Sequence, residues 1–172
     1  MEVLERTWKA YTRDVGDDVV WSNWAYPVAA MGAQSLITAV TVALTGTALA
    51  LASGAYHAVY RDYTQHLDTT AMMGYLSSVT GFLLYPWLGG VLAPMAYAFY
   101  WTVETDSQIH VPVWAAFALS VVAVKAGWWA VLPAVLFAGA GALQLRAKTD
   151  SWLHSLWHVA GAAAAGTALY LV

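Results

Sequence analysis

The chain has 172 residues, of which 60% are apolar and only 10% charged, with a net charge of −3 and no cysteine. A soluble domain carries about 25% charged residues, so this composition points to a polytopic membrane protein. It excludes disulfides and thiolate metal sites, and it lacks the basic patch that nucleic acid requires, so any metal must be held by His, Asp or Glu.

Residues 1–18 carry Glu2, Glu5, Arg6, Lys9, Arg13, Asp14, Asp17 and Asp18, while Leu4, Trp8, Tyr11 and Val15 recur at helical spacing. The pattern predicts either a short helix lying on a membrane surface or a polar tail, and no cleavable signal peptide. From Val19 to Tyr60 charge is almost absent. One helix of that length would measure roughly 60 Å, twice the hydrocarbon thickness. The chain must turn back, and the break Gly32-Ala33-Gln34-Ser35 divides it into spans near 19–34 and 36–58. Further apolar runs lie near 67–85, 87–103, 109–125, 127–145 and 152–171. The prediction is an all-α, seven-transmembrane helix bundle forming a single integral membrane domain over 1–172. Trp and Tyr cluster at the span ends, as an interfacial belt requires. Pro27, Pro94 and Pro133 fall inside spans and predict kinks.

Charge asymmetry tests the count of spans. With seven, one face holds Arg6, Lys9, Arg13, Arg61, Arg146 and Lys148, and the other holds only Lys125. The positive-inside rule then places the N-terminus in the cytoplasm and the C-terminus outside. With six spans the asymmetry vanishes.

Ionisable groups at the ends of apolar spans are functional candidates, because they are costly in lipid. His57 ends the second span, Asp68 begins the third, and His154 and His158 begin the seventh. The topology brings all four to the N-terminal face at similar depth. His154 and His158 are four residues apart and share a helix face, and Ser53 stands one turn before His57. A pair of His at this spacing can grip a metal ion, ligate a haem, or be packed side chains. His66 and His110 are expected at the surface of the same face, and Lys125 at the opposite one.

Three neutral imidazoles with an open fourth position make a catalytic zinc site, whose water has a pKa near 7. Asp68 would orient that water or take its proton, and the Ser53 hydroxyl would donate to an oxyanion. The ordered set Ser53-Gly54-Ala55-Tyr56-His57, Asp68 and His154-Ser155-Leu156-Trp157-His158 resembles the S-x-x-x-H … D … H-x-x-x-H signature. That signature belongs to the superfamily of alkaline ceramidases, adiponectin and progestin receptors, and hemolysin III-like proteins. The step from His57 to Asp68 is most similar to that of the alkaline ceramidases. The resemblance implies Zn2+ on His57, His154 and His158, with Asp68 and Ser53 catalytic. It also implies cleavage of an amide or related acyl bond in a lipid bearing an acyl chain. Some ceramidases carry an acidic calcium site near the N-terminus, which Asp17, Asp18 and Asn23 match only in part. The alternative within the same fold is a non-enzymatic, zinc-stabilised receptor or membrane-organising protein.

Overall fold

The computed structural model describes residues 21–59, 62–103, 107–146 and 151–172, and among these every regular element is a helix. The predicted surface segment 1–18 lies outside the described residues, as do Arg61, Glu104 and Lys148. A single α-helical turn, α1 (Ala25–Val28), leads into a 3-10 turn, Ala29–Gly32. Six longer helices follow: α2 (Leu36–Val59), α3 (Asp62–Leu84), α4 (Leu88–Thr102), α5 (Ser107–Ala126), α6 (Val131–Arg146) and α7 (Ser151–Leu171).

Local chemistry sets these boundaries. Ser35 caps α2, its Oγ accepting the Thr38 N–H at 3.1 Å. Asp62 stands in the first turn of α3, where its charge suits the positive end of the helix dipole. The α3–α4 turn is tight because Gly81 and Gly89 lack side chains; a Cβ on Gly81 would lie 2.6 Å from the Gly89 Cα. α5 ends where Gly127 adopts φ +61°, the left-handed conformation that glycine takes most readily. Threonines and serines inside the helices bond backwards to their own backbone, as Thr80 does to the Leu76 carbonyl at 2.8 Å and Ser120 to Ala116 at 2.8 Å.

The helices alternate in direction. His57 at the end of α2 meets His154 at the start of α7, with ring centroids 5.0 Å apart. Thr70 near the start of α3 bonds the Tyr100 carbonyl near the end of α4. Tyr100 in turn meets His110 near the start of α5. At the opposite end, Lys125 closes α5 against the Leu84 carbonyl at the end of α3. Gln144, late in α6, returns to the end where Asp68 and His154 stand. The segment before α2 runs the same distance: Ser22 lies at His158, Gly32 packs on Gly166, and Gln34 bonds the Tyr170 carbonyl. The core between the helices is built on Tyr75, Met73, Leu83, Val42 and Val122, all fully buried.

Two stretches, Leu36–His57 and His110–Gln144, are long and apolar enough to cross a membrane, and the second contains the turn at Gly127. The expected helices agree closely with α2, α4, α5 and α7. Three details differ. The first expected span is not one regular helix, because Pro27 has no N–H to give and the surrounding turns close with i→i−3 bonds, as from Tyr26 to the Asn23 carbonyl. α3 starts five residues before the expected 67, which carries Asp68 into its second turn. Pro133 sits in the first turn of α6, where a missing N–H costs nothing, so it does not interrupt that helix.

Close backbone contact between the N-terminal segment and α2 depends on Gly46, where a Cβ would lie 2.7 Å from the Pro27 nitrogen and 2.8 Å from the Tyr26 carbonyl carbon. Gly46→Ala should therefore lower thermal stability by about 1–3 kcal/mol in a detergent-solubilised protein followed by circular dichroism. Gly90→Ala, which meets nothing within 4 Å, should melt at or slightly above the wild type. Equal melting of the two variants would contradict the packing.

Candidate metal centre

The end of the bundle shared by the C-terminus of α2 and the N-termini of α3 and α7 holds the chemistry. His57 follows Ser53 by one turn, and both side chains are buried on the inner face of α2. His154 and His158 project from α7 with ring centroids 4.7 Å apart, and the His57 ring lies 6.1 Å from that of His158. The three histidines each offer a ring nitrogen, and these atoms all lie within 4.8 Å of one another. Two helices far apart in sequence, α2 and α7, thus form a cluster that could hold one metal ion.

Asp68 stands beside this cluster but outside the group of atoms that would grip the ion. Its carboxylate accepts a hydrogen bond from the Ser53 hydroxyl. The other oxygen, Oδ1, is buried with no hydrogen-bond partner among the described residues. A buried carboxylate oxygen without a partner is costly unless a cation, water or ligand proton meets it. Three neutral donors with an uncommitted carboxylate alongside suit a divalent ion such as Zn2+, so the residues present fit the metal that the sequence implied.

The cluster opens onto a chamber of about 150 Å³. Ser53, His57, Asp68, His154 and His158 all line it, so every site residue expected from the sequence reaches the same space. Gln65, Asp68, Thr69 and Met72 line it from α3 at the i, i+3, i+4, i+7 spacing of one helix face. Tyr26, Leu49, Met72 and Trp157 are shared with a second, apolar cavity reaching deeper between α3, α5, α6 and α7. The polar chamber therefore shares a wall with an apolar cavity lined by side chains such as Leu76, Ala115 and Phe137.

Further residues line the chamber, and of these only Asn23 was noted in the sequence, as part of a calcium pattern. Asn23, fully buried, lines the chamber from the N-terminal segment, while Asp17 and Asp18 of the partial calcium pattern lie outside the described residues. Ser22 bonds the His158 ring, its Oγ 2.8 Å from Nδ1. Gln144 joins from α6. The helical spacing from Asp68 could have exposed Gln65; nothing local marks Ser22 or Gln144.

The other ionisable candidates from the sequence, His66, His110 and Lys125, lie away from the cluster. His66 and His110 are at the same end but outside the cluster, His66 meeting the Trp101 carbonyl at 3.0 Å and His110 the Tyr100 hydroxyl at 3.2 Å. Lys125 is exposed at the opposite end. No protein-family model, curated protein or solved structure matches this chain.

Proposed function

We propose that this protein is an integral membrane, zinc-dependent hydrolase that cleaves an amide or ester bond of an acyl lipid from the cytoplasmic side, in the manner of the alkaline ceramidases it resembles. The observation that carries the reading is the convergence of three imidazoles beside the Ser53–Asp68 pair, in a chamber that borders an apolar cavity.

The distribution of polarity supports insertion of all seven segments. Outward-facing positions are apolar, including Leu44, Leu51, Met95, Phe117, Val124 and Val135. The buried polar groups lie inside: Thr45, Ser53, His57, Thr70, Ser77 and Ser155. That arrangement suits hydrocarbon outside and satisfied polar groups within. Exposed aromatic residues form two girdles, Trp21, Tyr63, Trp101 and Trp152 at the site end, and Tyr85, Trp87, Trp128 and Trp129 at the other. The excess of Arg and Lys that the seven-span sequence pattern assigns to the N-terminal face supports a cytoplasmic N-terminus.

Each side chain then has a task. His57, His154 and His158 hold the ion. A zinc ion so bound supplies a Lewis acid and a water acidified to near neutrality. Asp68 Oδ1 accepts the proton of the attacking water. Protonation weakens the hold of Asp68 on the Ser53 O–H, which becomes available to donate to the oxyanion forming on the lipid carbonyl. The proton on Asp68 passes to the departing amine. The apolar cavity receives the acyl chain, with Tyr26, Leu49, Met72 and Trp157 at the shared wall where the scissile carbonyl must sit. A purely structural metal would need a closed site, and Asp68, the obvious fourth ligand, stands outside the ligand group.

Release of fatty acid from N-acyl lipids in mixed micelles tests the chemistry. The zinc-loaded wild type should turn over, and Asp68→Asn should slow turnover by about 10²–10⁴-fold. Turnover unaffected by that substitution would remove Asp68 from the mechanism. The absence of native cysteine allows a separate test of topology. In right-side-out vesicles a membrane-impermeant maleimide should label Trp87→Cys and spare Tyr63→Cys until the vesicles are opened; the reverse pattern would invert the orientation.

A further inference from the structure

The histidine motifs lie in α2 and α7, yet the His158 ring is held from a third place. Its side chain is only 2% exposed, so bulk water cannot satisfy its second ring nitrogen. That nitrogen, Nδ1, instead meets the Ser22 Oγ at 2.8 Å, across 136 residues of sequence. The ring is flanked by Tyr26, Trp157 and His154, with centroids 5.8, 4.7 and 4.7 Å away, so its plane is constrained by packing while Nδ1 is held by the Ser22 hydroxyl, which accepts when that nitrogen carries the proton. An imidazole bound to metal through one nitrogen carries its proton on the other, and a fixed acceptor for that proton orients the ring and raises its basicity.

We propose that Ser22 is the positioning residue of the metal centre: its hydroxyl oxygen accepts the His158 Nδ1–H and so commits Nε2 to the ion. The inference rests on the metal-site reading above and extends it to the N-terminal segment. This segment thereby becomes a fourth wall of the centre and not merely a membrane crossing. Its neighbours Asn23 and Tyr26 line the same chamber, so the segment reaches the site through three side chains within five residues. Ser22 itself touches neither substrate nor metal in this scheme. It acts through His158.

The test is made on the full chain in detergent, with Zn2+ affinity measured by competition against a chromogenic chelator and the ligand field read from the visible absorption of the Co2+-loaded protein. Ser22→Ala should weaken Zn2+ binding by about 10–100-fold and alter the Co2+ spectrum, and Ser22→Thr, which keeps the hydroxyl, should restore both. Thermal melts of the zinc-free proteins separate this from misfolding: a hydroxyl acting only on the metal leaves the apo melting temperature close to wild type. Wild-type affinity and an unchanged Co2+ spectrum in Ser22→Ala would overturn the assignment. So would weakened binding that Ser22→Thr fails to restore. A wild-type protein that binds no zinc overturns this inference together with the metal-site reading. Zinc binding that depends on Ser22, in a protein that releases no fatty acid, upholds the inference and removes only the hydrolase reading.

Discussion

A cluster of imidazoles and a carboxylate inside an apolar bundle must be satisfied by the protein itself, and this requirement organises the molecule. Each polar group removed from water costs several kcal/mol unless it finds a partner. The bundle answers with local bonds along the helices and one concentrated polar chamber where α2, α3 and α7 meet. Ser53 serves Asp68, and Ser22 serves His158. What stays uncommitted, chiefly Asp68 Oδ1, is the group that the proposed chemistry uses.

The same requirement explains why small residues matter at so few places. Gly32 against Gly166, Gly46 against the Pro27 backbone, and Gly81 against Gly89 are close approaches of main chain to main chain. The first two draw the N-terminal segment against α2 and α7. Only with that segment seated can Ser22 reach His158 and can Asn23 and Tyr26 line the chamber. Packing at one end of the bundle thus fixes geometry at the other, through a segment too irregular to count as a long helix.

Much of this was legible in the sequence, and the limits have physical reasons. The four-residue step from His154 to His158 and from Ser53 to His57 specifies a shared helix face before any fold is known. Alternation of apolar runs and polar breaks, checked against the placement of Arg and Lys, gives the order of the helices and brings His57, Asp68 and the His pair to one end. Boundaries were harder. The polar start of α3, with Asp62, Gln65 and His66, reads as lying outside the span because lipid-facing periodicity is absent there; the helix persists because this turn faces the chamber and the neighbouring α4. The break of the first segment at Pro27 is a case where a known helix breaker prevailed over a strongly apolar run. Ser22 and Gln144 were invisible because their roles arise only from tertiary contact, across a separation that no local spacing encodes.

The division between the chamber and the apolar cavity gives the account its chemical direction. A site built only to staple helices has no need of a carboxylate held beside the ligand group, nor of an apolar cavity bordering it. Both features suit a reaction in which a lipid carbonyl is presented to a polarised water while its chain stays in an apolar environment.

The measurement that tests this account most directly is the metal content of the purified full-length protein, wild type beside His158→Ala, by elemental analysis. About one zinc per chain in the wild type, lost in the variant, is the predicted result. Absence of zinc from a folded wild-type protein, or full retention of it in His158→Ala, would contradict the assignment of the three histidines and the mechanism built on them.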